Sequence, residues 1–158
     1  MPPDPRSLGS GPCNGAGAGY GARVSTPPPS WAPQDTVSPL DDKLGIEITD
    51  YDPDRLVATM PVEGNQQPFG LLHGGATCAL VETSGSWAAM LGAGPDRQVV
   101  GIELNASYLR AATSGTVTAV CTPVRRGRSL STFQIDITDD RGRQTATARL
   151  TCMTLSKR

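Results

Sequence analysis

From residue 43 onward, apolar and polar side chains alternate. Leu44, Ile46 and Ile48 are separated by polar or small partners, and Tyr51-Asp52-Pro53-Asp54 is turn chemistry. Leu56, Ala58, Met60 and Val62 then alternate again. Period two on both sides of a turn predicts an antiparallel hairpin with one buried face. Gly64 through Gly70 reads as loop. The period then changes: Ala76, Leu80, Thr83, Trp87 and Leu91 recur at spacings of three and four, which predicts one helix from Leu72 to about Leu91. Gly92-Ala93-Gly94-Pro95 ends it. Four more strands are expected around Val100–Tyr108, Thr116–Val124, Phe133–Ile137 and Gln144–Leu155, joined by Thr113-Ser114-Gly115, Arg125–Arg128 and Asp139–Gly142. The order β-β-α-β-β-β-β is an α+β fold. Its one long helix must lie on one face of an antiparallel sheet to bury both apolar surfaces.

Before residue 41 the pattern is absent. Residues 1–40 hold 6 of the 18 Gly and 9 of the 14 Pro, in stretches such as G-A-G-A-G-Y-G and T-P-P-P-S-W-A-P. Such a segment has too little apolar surface to offset the entropy of ordering it. The expectation is a disordered tail over 1–40, dispensable for the chemistry, and one domain over 41–158. A proline-rich recognition ligand is the alternative, but no clean P-x-x-P with basic flanks occurs. Net charge is −1, which provides no general attraction for nucleic acid. No run of about 18 apolar residues offers a membrane span. The first residues lack the basic flank and apolar core of a secretory signal, so a cytoplasmic location is expected. Cys13, Cys78, Cys121 and Cys152 are far apart with no C-x-x-C, which disfavours a zinc site and suits buried thiols in a reducing compartment.

The helix carries the candidate chemistry. Twelve of the sixteen residues from Gly74 to Ala89 are Gly, Ala, Ser, Thr or Cys, and Glu82 is the one charge between Glu63 and Asp96. At about 100° per residue, Gly75, Cys78, Ala79, Gly85, Ser86 and Ala89 share the Glu82 face, with Leu80, Trp87 and Leu91 opposite. Small neighbours leave space in front of the carboxylate, with Gly85 clearing room beside it. Enclosed carboxylates cluster at functional sites. The plainer reading pairs Glu82 with a strand arginine, Arg110 or Arg149. Ser86, one turn on, is a packing residue or a hydrogen-bond partner of Glu82. His73-Gly74-Gly75 opens the helix where backbone N–H groups lack intrahelical partners. Those donors and the helix dipole suit a developing negative charge. Alternatively, the glycines ease the entry and His73, the chain's one histidine, is a local cap.

Three segments, Gln67–Gly75 (Q-P-F-G-L-L-H-G-G), Ala79–Ser86 (A-L-V-E-T-S-G-S) and Val100–Ala106 (V-G-I-E-L-N-A), together resemble the hotdog-fold thioesterases. The likeness is to the PaaI-like group that includes bacterial 4-hydroxybenzoyl-CoA thioesterase and the proofreading thioesterase of enterobactin biosynthesis. It covers roughly residues 42 to 155 and implies a long central helix wrapped by an antiparallel sheet, in a homodimer or homotetramer with active sites between subunits. It implies hydrolysis of an acyl-CoA thioester, aryl or medium-chain, with no cofactor beyond the CoA of the substrate and no metal, nucleic acid or membrane partner. By resemblance Glu82 is the carboxylate, acting as nucleophile or as general base on water. Gln67 and the Gly74 N–H polarise the carbonyl, Gly75 adjoins the substrate, His73 lies near the thioester, and Ser86 supplies a hydroxyl. Tyr108 stands where the nearest relatives carry a histidine, so acyl or carrier preference is expected to differ. Arg125, Arg126 and Arg128 form either a solvated hairpin tip or a contact for CoA phosphates. A carrier-protein thioesterase and a non-catalytic CoA-ester-binding module are the alternatives. A hotdog dehydratase is disfavoured because the sole histidine precedes Gly-Gly.

Overall fold

The computed structural model describes residues 25–32 and 38–156. The expected tail falls mostly on residues outside these. Two pieces of it are described. In one, the Thr26 N–H donates to Asp50 Oδ1 at 2.9 Å, the Thr26 carbonyl accepts from the Tyr51 N–H at 2.9 Å, and Ala32 is buried. In the other, Ser38 caps a short helix, α1 (Pro39–Leu44), which begins inside the 1–40 segment.

The sequence reading missed α1, although its signals are present. Ser38 Oγ accepts from the Asp41 N–H, Pro39 fills the first turn, and Gly45 closes the helix at φ +65°. Leu44 therefore ends a helix rather than opening a strand. Thr83 Oγ1 donates to Asp41 Oδ1 at 2.7 Å and pins α1 to the long helix.

The remaining order matches the pattern: β1 (Glu47–Asp50), β2 (Leu56–Pro61), α2 (Gly74–Ala93), β3 (Arg97–Tyr108), β4 (Thr116–Arg126), β5 (Leu130–Thr138) and β6 (Gln144–Ser156). All pairings are antiparallel, in the sheet order β1-β2-β4-β5-β6-β3. Leu56, Ala58 and Met60 of β2, Val117, Ala119 and Cys121 of β4, Phe133, Ile135 and Ile137 of β5, and Ala148, Leu150 and Cys152 of β6 alternate inward. With Leu80, Val81 and Ala88 of α2 they form one core. A Cβ on Gly85 would sit 2.4 Å from Leu150 Cδ2. Gly85 thus lets the helix approach β6; it does not clear space beside Glu82.

The alternation expected along β3 is broken. Between Gly101 and Glu103 the register with β6 slips: Gly101 faces Cys152 and Glu103 faces Thr151, so Ile102 is an extra residue. Such a bulge reverses which side chains point inward. Val99 precedes it on the helix side and Leu104 and Ala106 follow it there, whereas Val100 and Ile102 are exposed. The outer edge of β3, twelve residues long, has no strand paired to it among the described residues.

Candidate active site

The candidate residues fall into three places. The first is the middle of α2. Glu82 is half-buried, and its carboxylate lies over Gly101: a Cβ there would stand 2.0 Å from Glu82 Oε1. The residue that makes room for the carboxylate is therefore Gly101, in the bulge of β3. The signal was a glycine interrupting a strand pattern, which often marks a bulge or a close approach. Ser86 Oγ donates to Glu82 Oε1 at 3.5 Å. No arginine pairs with Glu82 among the described residues, so the ion pair with Arg110 or Arg149 is not formed. Cys152 is the cross-strand partner of Gly101 on β6, and its Sγ donates to the Gly85 carbonyl at 3.9 Å. Burial, and then the nearby Glu82 carboxylate, push its thiol up to about 11, against the lowering effect of Ser86. At neutral pH a protonated thiol stands beside the carboxylate.

The second place is the start of α2. The Gln67 backbone closes a tight loop with Leu71 and Gly70, and the Phe69 N–H donates to Gln67 Oε1. With its carbonyl occupied, the Gln67 amide keeps its N–H donors for another acceptor. Asn65 anchors the approach to the helix through its Nδ2, which donates to the Leu44 carbonyl at 2.7 Å and the Pro61 carbonyl at 2.9 Å. His73 is the N-cap, and its Nδ1 accepts from the Gly75 N–H at 2.8 Å. That bond requires an unprotonated Nδ1, so the ring carries its proton on Nε2. The Gly75 N–H, expected to adjoin substrate, is thereby taken up by the cap. The Gly74 N–H has no acceptor among the described residues.

Tyr108 covers this helix start. Its O–H donates to the Gly74 carbonyl at 2.9 Å and shares a hydrogen bond with Cys78 Sγ at 3.2 Å; a Cβ on Gly74 would meet the phenol at 3.0 Å. The bond with Cys78, and then burial, push the phenol up to about 12, so it stays neutral. Gln67, Gly74, Thr77, Tyr108 and Arg110 line a cleft of about 410 Å³ here.

The third place is the far end of α2. Arg126 and Arg128 line a second cleft of about 410 Å³ with Arg97, Ser131 and Thr154. Arg126 is held by the Asp54 carboxylate and the Pro53 carbonyl. Arg125 is exposed and outside this cleft. Beside it runs a mostly apolar groove of about 630 Å³ that begins at Ser86 and includes Trp31, from within the segment expected to be dispensable. No group of three metal-ligating side chains occurs among the described residues, and no described helix is long and apolar enough to cross a membrane.

Gly74 and Glu82 are eight residues apart on one helix, about 12 Å along its axis. One thioester cannot touch both in a single chain. The donors and the carboxylate are each complete locally but are not brought together.

Comparison with known proteins identifies relatives of the chain. The model of the thioesterase superfamily matches residues 69–146. The chain is 47% identical over 116 residues to the proofreading thioesterase EntH of Cronobacter turicensis, covering 73% of this chain and 85% of that protein. It is 44% identical over 109 residues to the 1,4-dihydroxy-2-naphthoyl-CoA hydrolase of Escherichia coli, covering 68% and 80%. The crystal structure of a thioesterase from Haemophilus influenzae superposes with a TM-score of 0.72 at 42% identity, covering 74% of this chain and 82% of that one.

Proposed function

The chain belongs to the thioesterase superfamily, and from that premise we propose that it hydrolyses acyl-CoA thioesters with Glu82 of one subunit and the Gln67 and Gly74 donors of another. It is a thioester hydrolase of the hotdog fold. The observation that carries the finer reading is the division of the site. A half-buried carboxylate without an ionic partner among the described residues lies over Gly101, and donors without acceptors among those residues lie about 12 Å away along the same helix. A homodimer that places one helix start against the other helix's middle joins them. The free edge of β3, with Val100 and Ile102 exposed on it, offers a surface for that pairing.

In the joined site the thioester carbonyl oxygen accepts from the Gly74 N–H and a Gln67 amide N–H. Both strengthen as the oxygen gains negative charge. Glu82 acts on the carbonyl carbon, directly or by deprotonating a water, and the tetrahedral intermediate collapses with departure of the CoA thiolate, which takes up a proton. One water is consumed, and a free acid and a thiol are released. Ser86 orients the carboxylate, and the neutral Cys152 thiol keeps a second negative charge away from it. Arg128 and Arg126 border a cleft whose charge suits the CoA phosphates. Tyr108, a neutral donor over the helix start, faces the thioester arm in place of a histidine.

The test is a panel of acyl-CoA and matched acyl-carrier thioesters with free thiol as the readout. Turnover of the CoA esters, lost in Glu82→Gln while the variant melts as the wild type does, is expected. Turnover restricted to carrier thioesters transfers the proposal to a carrier-protein substrate, and full activity of Glu82→Gln removes it.

A further inference from the structure

The groove beside the second half of α2 has a polar end and an apolar body. Ser86, in hydrogen-bond contact with Glu82, stands at one end and Gly94 and Pro95 at the other. Eight residues of helix separate Ser86 from Gly94, about 12 Å. Trp87, Met90 and Val99 supply walls, and Trp31 adds another. Trp31 is brought there by residues 25–32, tied to the end of β1 through Thr26 and seated by buried Ala32.

Arg97, the first residue of β3, is the one ionisable side chain among the described residues that line this groove. Its Nε is buried and has no hydrogen-bond partner among the described residues. Arg126 and Arg143 are paired with Asp54 and Asp139, but no carboxylate among the described residues pairs with Arg97. A buried guanidinium N–H without an acceptor is costly and calls for an explanation. Arg97 borders both this groove and the basic cleft beside Arg126 and Arg128, so its guanidinium stands where a ligand in either can meet it.

We propose that the groove takes medium-length acyl groups ending in a carboxylate, and that Arg97 selects them. The inference rests on the hydrolytic role of Glu82, which fixes the thioester at the Ser86 end. The far end of the acyl group then reaches Arg97, whose guanidinium turns to present its Nε–H and a neighbouring Nη–H side-on to the two oxygens of a carboxylate. A methyl end leaves Nε unsatisfied, and a hydroxyl leaves the charge uncompensated. Arg97 sets specificity and does not touch the reacting atoms.

The experiment compares octanoyl with suberoyl thioesters, each on CoA and on N-acetylcysteamine, which has no phosphates, using the intact protein, Arg97→Met and Arg97→Lys. The wild type is expected to favour suberoyl by roughly tenfold or more in kcat/KM with both thiols. Arg97→Met brings the ratio to about one, mainly through the KM for suberoyl, and Arg97→Lys, which retains the charge, keeps part of the preference. Equal kcat/KM for the two acyl groups in the wild type overturns the proposal. So does an Arg97→Met variant whose KM rises alike for every CoA ester and for no N-acetylcysteamine ester, since the guanidinium then serves the nucleotide. Absence of turnover on every thioester removes the hydrolytic reading and this inference with it; turnover without preference removes only this inference.

Discussion

The start of α2 and its later turns do opposite things. The start presents backbone donors: His73 satisfies one of them, Gly74 keeps another, and Tyr108 covers the turn. From its middle onward the helix carries an acceptor, Glu82, over a strand glycine, and then borders an apolar groove lined at its end by Arg97, which no carboxylate among the described residues pairs. Donors and acceptor stand about 12 Å apart along one helix, a separation that helix cannot close. The proposed site, completed by a second copy, joins them.

The strongest way to break this contrast is to remove the acceptor. Glu82→Gln is expected to lower kcat by about three orders of magnitude, within the range for loss of a positioned base or nucleophile. Gln67→Ala, which removes one oxyanion donor, is expected to cost about a hundredfold. Mixing the two inactive variants after dissociation sharpens the comparison. If sites are shared, half the dimers are mixed and each regains one intact site, so activity returns to about a quarter of wild type. If each site is made by one chain, nothing returns.

Gly101→Ala is expected to lower kcat by tens of fold with little change in KM, because the new methyl displaces the Glu82 carboxylate. An unchanged melting temperature would separate that effect from damage to β3. Tyr108→Phe removes the bond to the Gly74 carbonyl and is expected to change kcat/KM only several-fold, read across acyl-CoA esters. The smallest expected effect is on alkaline stability. The Cys121 and Cys152 thiols are raised to about 12 and about 11 from 9.0, both chiefly by burial. Folded protein thus holds protons that the unfolded chain releases, and stability falls as pH rises from about 9 toward 11. Urea titrations across that window, repeated on Cys152→Ala, check the sign.

The order of elements along the chain and the long helix were legible because they rest on periodicity, and Glu82, Gln67 and His73-Gly74-Gly75 were picked out as candidates by local motif; the sheet order, in which β3 pairs with β6 rather than β4, was not. What escaped was non-local. The bulge at Ile102 could not be seen, since Val100, Ile102 and Leu104 alternate in sequence whether or not the register slips. Gly85 and Gly101 are both glycines near a carboxylate in the expected topology, and only packing assigns one to Leu150 and the other to Glu82. The Trp31 segment reads as tail by composition, because the two bonds that tie it to the rest of the chain depend on Asp50 and Tyr51 at the end of β1 rather than on its own pattern. Arg97 carried no signal: an arginine after Asp96 at a strand start is ordinary until its Nε is found buried.

The bulge in β3 has a further consequence. Gly101 seats the carboxylate while its neighbours Val100 and Ile102 form part of the strand's free rim. Any association along that rim is thus felt one residue from the reacting group. If sites are shared as proposed, specific activity becomes a function of how much protein is in the tube: on dilution through the dimer dissociation range, turnover per chain should fall more steeply than structure is lost. Such a chain would be switched off by scarcity.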